Sequence, residues 1–454
     1  MKASKLKWVI ILGLGLRALL WALQVDPAGD DGLRYLAETI NLVDHGVFSS
    51  DRNVPPNATP HPTAHDLPLW PSTMAVFYMV SHSVRFTRYA SVALNVLLMG
   101  VTVMLLCSIL TARPFCIGEK GRAIGCAVLL FMPDSVVYSL CYMPDMMAVC
   151  FVTAGMWAYF RLVNTSRGVF ALFCPLFFGL AILSKPICIP LFAALTLALL
   201  LVLKCSVGRR IMYVLLAFAV VGAMLLPWVY RNQRAFGTAG LTTISGTNLY
   251  GCNWGRLVAT FPAAEREKCK AEMKVLEGRL QGADKMARSK ALGAYAKRQI
   301  LSHLPQYVKY TLTKHPRMYA GTGTVALLRH LGRNAECYAL DDLWGSGNYA
   351  PGEPRVPYTR TNTIIGCAVQ IVSWVILLSG YVVVALGMAK IVRRLPKVDA
   401  WQTWLLMLCP LLCVILLAIV IGPITSTRYR FFMIPFFAML AAFTSCKIGK
   451  QEEP

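Results

Sequence analysis

The chain has 454 residues, of which 56% are hydrophobic, and a formal net charge of +23 at pH 7. Its mean hydropathy of +0.55 and its repeated apolar runs of about 20 residues exclude an ordinary soluble domain. No alternating strand pattern of a membrane barrel occurs. We therefore expect an all-α polytopic membrane protein, in which basic charge reflects loop bias and phosphate headgroups rather than nucleic-acid binding.

Apolar segments recur along the whole chain. The first, 8–24, is similar to a signal peptide but lacks a small-x-small cleavage site, so we interpret it as a retained helix. Another apolar piece, 67–83, is short and contains Pro68 and Pro71, and it is predicted to lie at the interface. About ten transmembrane helices are predicted, at 8–24, 89–112, 123–141, 145–162, 169–184, 187–203, 211–230, 364–389, 402–422 and 431–446.

The distribution of Lys and Arg predicts the orientation. If 67–83 does not span, one side of the membrane carries far more basic residues than the other, apart from one long loop, which places both termini in the cytoplasm. The predicted units are residues 1–230, a transmembrane module with a first external loop at 25–88; residues 231–363, a long external region; and residues 364–454, the C-terminal transmembrane helices. Helical periodicity predicts external helices at 33–46, 264–280 and 284–318, of which the last two are amphipathic and typical of a membrane surface.

With this topology, ionisable residues collect at the outer face. They are Asp30, Asp31, Arg34, Asp145, Lys185, Arg231, Arg428 and Arg430. Ionisable groups near lipid are costly and often functional. Any one of these residues could equally be a helix cap or a headgroup anchor, so the set as a whole carries the prediction.

Several motifs resemble those of one enzyme class. They are "DGLRYLAETINLVDHGVFS", "GLAILSKPICIPL", "LPWVYRNQRAFGTAGLTTISGTNLYGCNWG" and "TSTRYRFFMIPF". In order and membrane side they are similar to the GT-C glycosyltransferases of the bacterial dolichyl-phosphate-mannose–protein mannosyltransferase type, which include the aminoarabinose transferases acting on lipid A. The resemblance covers most of the chain, and the third motif is its most specific part.

The resemblance implies a GT-C-like helical bundle and a transferase that uses a polyprenyl-phosphate sugar. By its spacing to Arg34 and Tyr35, Asp31 is the expected catalytic acid of the first loop, and Asp30 is the alternative if the alignment slips by one residue. Asp145 matches the second acid of the family. Contacts to the lipid phosphate and donor are expected from Lys185, Arg231, Arg428, Arg430, Tyr35 and Arg34.

The chemistry of sugar transfer fits these residue types. A carboxylate takes the acceptor's proton as the acceptor attacks the anomeric carbon, and Lys or Arg stabilises the departing phosphate. No cofactor is expected to be required, although a divalent cation could take part. His61 and His65 are four residues apart, but a metal site in this Pro-rich loop is not expected. Asp134 either assists the site or pairs with an arginine such as Arg17.

Two other functions compete with this interpretation. A transporter or flippase of lipid-linked sugars would show inverted repeats and ionisable residues near mid-bilayer. A non-catalytic lipid-binding subunit would not require Asp31. We expect a plasma (inner) membrane protein with its site facing the periplasm or exterior, and with a lipid-linked sugar donor and an envelope acceptor (protein, lipid or glycan) as partners.

Overall fold

In a computed structural model, every regular element of the described residues is helical, which confirms the all-α prediction. Residues 4–24, 30–324, 327–328, 360–395 and 400–445 are described, without the side chains of residues 30 and 360–365. The helices of the first half are α1 (Lys5–Leu23), α2 (Asp30–Asp44), α3 (Leu69–Ser81), α4 (Val84–Thr111), α5 (Glu119–Phe131), α6 (Pro133–Ser139), α7 (Asp145–Thr165), α8 (Gly168–Ser184), α9 (Cys188–Val202) and α10 (Val207–Phe236).

The second half begins with five α-helices and one π-helix. They are α11 (Ile244–Asn248), a π-helix (Leu249–Gly255), α12 (Arg256–Val258), α13 (Ala263–Arg279), α14 (Lys285–Ser302) and α15 (Leu304–Ala320). Four α-helices and a 3₁₀ turn follow: α16 (Arg360–Arg394), α17 (Trp401–Ile421), α18 (Thr427–Phe431), α19 (Ile434–Ala442) and Phe443–Ser445. The predicted helix at 284–318 is two helices, because Pro305 lacks the N–H that would continue α14.

All ten predicted spans are helical in their described parts, but they differ in length. Six helices of the described chain are long and apolar enough to cross a membrane: Lys5–Leu23, Val84–Thr111, Asp145–Thr165, Val207–Phe236, Gly366–Arg394 and Trp401–Ile421. A seventh candidate is the pair α5 and α6, bent by 59°. The other three, Gly168–Ser184, Cys188–Val202 and Ile434–Ser445, are shorter apolar helices. The protein is therefore a multi-pass membrane protein.

Proline explains two of the breaks. Pro133 begins α6 after Met132, and it cannot continue the hydrogen-bond ladder of α5. Lys185 is extended, with φ −150° and ψ 127°, because Pro186 disfavours a helical conformation in the residue before it. The chain therefore leaves helix α8 at Lys185 and presents this lysine at a gap between two apolar helices.

The centre of the bundle is α7. In its apolar window 83% of residues are buried inside the protein, against 11% in α1 at the periphery. A central helix of this kind is fixed on all sides by its neighbours, so the residue at its start, Asp145, is held in place by the core.

A second, smaller core lies in the region between α10 and α16. It forms around Trp254, Leu257 and Ile300, with Tyr307 packed against it. The π-helix contributes Tyr250 and Trp254 to this core, and π-helical turns often occur at functional sites. At Gly422, which follows α17 with φ +63°, a Cβ would lie 2.5 Å from the Tyr307 hydroxyl, so glycine permits close contact between the two regions.

Candidate active site

Three acidic side chains from separate elements meet on one side of the bundle. Asp31 lies in the first turn of α2, Asp66 in the loop before α3, and Asp145 at the start of α7. Gly32 permits this meeting, because a Cβ there would lie 2.7 Å from the Tyr142 ring. The first turn of α2 can thus pack directly on the loop that leads into α7.

Arg428 joins two of these acids. Its guanidinium donates to both carboxylate oxygens of Asp145, from Nε at 2.8 Å and from Nη2 at 2.6 Å. Its Nη1 also donates to Asp31. The Asp145 side chain is 1% exposed and that of Asp31 is 38% exposed. Both carboxylate oxygens of Asp145 therefore accept hydrogen bonds from Arg428, whereas Asp31 remains open to the cavity.

Arg34 joins Asp31 to the third acid. It donates to Asp66 through Nε and, at 3.3 Å, through Nη2. Its Nη1 donates to Asp31 Oδ1 at 2.7 Å. Asp31 thus receives one guanidinium on each of its oxygens, because Arg428 binds the other one. Two planar guanidinium groups fix the orientation of this carboxylate.

Lys185 completes the cluster. Its Nζ donates to the Tyr35 hydroxyl at 2.9 Å and lies 4.0 Å from Asp145 Oδ2. Burial and the neighbouring Arg428 lower the pKa of Lys185, while the nearby acids act in the opposite direction. Tyr35 is itself buried. The lysine is thus a cation held at the break between α8 and α9, next to a carboxylate that is already paired.

The protonation of Asp31 follows from these contacts. Burial alone would raise the pKa of Asp31, but the cations Arg428, Arg34 and Lys185 hold it well below its usual range. The carboxylate is therefore ionised and binds a proton weakly while these ion pairs persist. The three acids and three cations of the cluster formally balance in charge.

The cluster opens into a cavity of ≈ 310 Å³, which lies in the size range of small-molecule sites. One wall is the ionic cluster with His65. A second wall is apolar and consists of Pro186, Ile187, Pro190, Val420, Ile421, Ile424 and Phe432. A third wall, from α11 and the π-helix with the residues before them, includes Thr242, Ser245, Asn248 and Asn253. The cavity thus combines a charged group of side chains with an apolar one.

The chain is similar to solved structures of membrane enzymes. An oligosaccharyltransferase, AglB from Archaeoglobus fulgidus, in complex with an inhibitory peptide and a dolichol-phosphate, matches at 13% identity and a TM-score of 0.48 over 96% of this chain and 50% of its own. ArnT from Cupriavidus metallidurans bound to undecaprenyl phosphate matches at 15% identity and a TM-score of 0.41, over 96% of this chain and 77% of that one. The arabinosyltransferase EmbB from Mycobacterium smegmatis matches at 13% identity and a TM-score of 0.38, over 96% and 40%.

All three are GT-C glycosyltransferases, the class that the sequence motifs resemble. The chain spans about half the length of the archaeal oligosaccharyltransferase. No protein-family model and no curated protein matches its sequence. At these identities and scores the matches do not assign the chain to a family.

One cation expected at the lipid phosphate, Arg231, lies outside the cavity lining. Its Nη1 donates to the Thr63 carbonyl at 2.6 Å and its Nη2 to the Phe48 carbonyl at 3.1 Å. Its guanidinium also lies 5.0 Å from the centre of the Trp228 ring. Arg231 therefore connects the loop between α2 and α3 to α10.

Arg430 is also directed away from the cavity. Its Nε donates to Asp134, and both side chains are fully buried. Its other nitrogens donate to backbone carbonyls, including that of Gly321 at 2.6 Å. Asp134 therefore pairs with Arg430, whereas Arg17 donates to hydroxyls, including that of Ser139 at 2.9 Å.

The histidines of the first loop separate. His61 Nδ1 lies 3.0 Å from Asp51 Oδ2, while His65 lines the cavity, where burial lowers its pKa. No group of three or more His, Cys, Asp or Glu residues is placed to hold a metal ion within the described ranges. Asp30 begins α2, but its side chain is not among the described ones.

Asp66 is the main cavity residue that sequence reasoning did not select. Its role depends on a contact with Arg34, 32 positions away, which no local periodicity reveals. The polar wall was also not selected residue by residue, although Asn248 and Asn253 lie in the "SGTNLYGCNWG" stretch that carries the most specific resemblance. Treating that stretch as a cavity wall would have found them.

Proposed function

We propose that this chain is a membrane glycosyltransferase, which moves a sugar from a polyprenyl-phosphate donor to a cell-envelope acceptor at the outer face of the plasma membrane. The observation that carries the proposal is the cavity, which is lined both by a cluster of acids and cations and by a set of apolar side chains. A lipid-linked anionic donor has both a hydrocarbon part and a charged part. The two walls fit these two parts.

The donor would lie across the cavity. Its isoprene units fit the apolar wall, which includes Ile187, Ile421 and Phe432. Its phosphate would then meet Lys185 and Arg428, two cations from separated segments of the chain. Charge-assisted contacts of this kind stabilise the negative charge that develops on a departing phosphate.

Asp31 is the proposed base. An acceptor hydroxyl oxygen attacks the anomeric carbon and forms the new bond, while the bond from that carbon to the phosphate oxygen breaks. The phosphate leaves with the electron pair, and the acceptor's proton passes to Asp31. Asp145 is nearly fully buried and holds Arg428 through two hydrogen bonds, which makes it a positioning residue for the donor phosphate.

Donor binding would also activate the base. Arg428 binds Asp31 in the structure described here, and an incoming phosphate competes for the same guanidinium. Once Asp31 loses this partner, its pKa rises from a depressed value toward the pH at which proton transfer is efficient. We therefore expect the donor to bind before the acceptor reacts.

The first test compares the two adjacent acids. Cells that lack the gene are complemented with the wild type, Asp31→Asn or the matched control Asp30→Asn, and envelope glycans and glycoproteins are analysed by mass spectrometry. We expect transfer by Asp31→Asn to fall by about 10²–10⁴-fold, the usual cost of losing a general base. Asp30→Asn should keep a substantial fraction. Full activity of Asp31→Asn would refute the proposed chemistry.

The same cells separate the competing functions. If the chain transfers sugar, its loss leaves unused lipid-linked sugar at the outer face. A flippase predicts accumulation at the inner face instead, which lipid extraction after periplasmic enzyme treatment distinguishes. A non-catalytic subunit predicts that Asp31→Asn complements as well as the wild type.

The side of the membrane is tested by thiol labelling. A cysteine introduced into a predicted external region reports on which side that region lies. In the first external loop Ser50 is half-buried, so the exposed Ala58 is the better position. Ser346, in the second external region, lies outside the described residues. In intact spheroplasts, Ala58→Cys should react with an impermeant maleimide. Native Cys116, exposed between α4 and α5, should react only after permeabilisation. The reverse pattern would place the cavity at the cytoplasmic face.

A further inference from the structure

Beneath the ionic cluster lies a carboxylic acid that the proposed mechanism does not use. Glu38 follows Arg34 by four residues and Asp31 by seven on α2, so the three lie on one helical face. Its side chain is 0% exposed. Neither carboxyl oxygen has a hydrogen-bond partner within the described part of the chain. An ionised carboxylate in such a position costs several kcal/mol.

The cations around Glu38 are already engaged. Arg34, on the same helix, donates to Asp66 and Asp31. Lys185, at the junction of α8 and α9, donates to the Tyr35 hydroxyl.

Arg231 of α10, also within electrostatic reach of Glu38, donates to the backbone carbonyls of Thr63 and Phe48. The acid that repels an ionised Glu38 most strongly is Asp66, from the loop before α3. Burial first, and then repulsion from Asp66, raise the pKa of Glu38 well above its usual value, while Arg34 and Lys185 act in the opposite direction.

We propose that Glu38 is a positioning residue that stays protonated in the working protein and thereby leaves Arg34 bound to Asp31. As a neutral acid, Glu38 occupies this buried position without attracting a cation away from its present partner. If it loses its proton, a second carboxylate beside Asp66 competes for Arg34, and Asp31 loses the guanidinium that fixes its orientation. This inference rests on the proposed function for its catalytic consequence, but the protonation of Glu38 does not.

The sign of the pH effect follows directly. A carboxyl whose pKa is raised in the folded state contributes stability that is fully present below its unfolded pKa and is lost as pH rises through the folded pKa. Activity that requires the neutral form is lost as pH rises through the folded pKa. Glu38→Gln keeps the shape and cannot ionise, so both losses should be reduced in this variant.

The experiment uses the full chain in detergent, as wild type, Glu38→Gln, and the control Glu267→Gln at an exposed site on α13. Thermal unfolding midpoints and transfer rates are measured across neutral and alkaline pH. We expect Glu38→Gln to keep at least half of wild-type transfer at neutral pH. As pH rises, its unfolding midpoint and its transfer rate should fall less than those of the wild type. The control should follow the wild type.

Three results would overturn the inference: an inactive but folded Glu38→Gln, an unchanged transfer profile, or an unchanged pH dependence of unfolding. If Glu38→Gln does not fold, infrared spectroscopy of wild-type protein labelled with ¹³C-glutamate decides, since the inference requires a protonated carboxyl band at neutral pH. If no variant transfers sugar, the proposed function fails. The unfolding and infrared measurements still test Glu38 in that case.

Discussion

Arg428 and Arg430 lie two residues apart on α18 and have opposite surroundings. Arg430 is fully buried, with Asp134 and several backbone carbonyls as partners. Arg428 reaches the cavity, where it binds Asp145 and the more exposed Asp31. This short helix thus directs Arg428 into the cavity and Arg430 into the core. The direction of a side chain, rather than its type, therefore decides its role.

The largest expected effect is on the buried arginine. Replacing Arg430 by Met leaves Asp134 as an uncompensated charge in the core, and breaking a buried pair costs about 3–5 kcal/mol. We expect Arg430→Met to yield aggregated protein by size-exclusion chromatography in detergent. Adding Asp134→Leu should recover part of the monodisperse peak, because an apolar pair leaves no buried charge. A monodisperse single variant at the wild-type level would end the distinction between the two arginines.

A smaller effect is expected at the cavity. Lys185→Ala should reduce the use of a short-chain polyprenyl-phosphate sugar by roughly ten- to a hundred-fold, the equivalent of about 1.5–3 kcal/mol for a lost charge-assisted contact. Arg231→Gln is the matched comparison, since Arg231 binds backbone carbonyls outside the cavity lining. We expect this variant to lower the unfolding temperature while the KM for the donor stays near the wild-type value. A raised KM for the donor with an unchanged unfolding temperature would instead indicate that the donor phosphate binds at Arg231.

The smallest expected effect is a difference between two pH profiles. Asp31 acts in its ionised form, so activity falls as pH falls through its pKa. In the free protein its cationic neighbours hold that pKa well below the usual range, so the acid limb of kcat/KM for the donor should lie at low pH. With donor bound, the acid limb of kcat should lie at higher pH, because Arg428 has turned to the phosphate. Coincident limbs would show that the donor does not take Arg428 from Asp31.

Much of the fold could be predicted because apolar length is a local property of sequence. The ten apolar segments and a helix at 33–46 were expected, and the structure contains helices there, although the latter begins earlier, at Asp30, and so includes Asp31. The break between the predicted segments 169–184 and 187–203 is also present, and Lys185 lies there. The division of 284–318 was missed because helical periodicity continues across His303 while Pro305 interrupts the hydrogen bonds.

From the sequence, the site could be predicted only as a set of residues at one face of the membrane. Position at a helix end placed Asp31, Asp145, Lys185 and Arg428 on one side, and the structure brings these four together. Arg430 was expected there for the same reason. Its burial against Asp134 depends on how α18 packs on α6, a long-range contact that spacing along the chain does not encode.

The balance of charge in the cavity has a consequence for turnover. On the proposed function, the spent carrier is a phosphate monoester, which carries more negative charge than the donor and would compete with the next donor. Asp31 is a tethered rival of this product for Arg428, present at a high effective concentration. Re-formation of the ion pair between Asp31 and Arg428 would help to displace the used carrier, so the acid that serves as the base would also clear the site after each cycle.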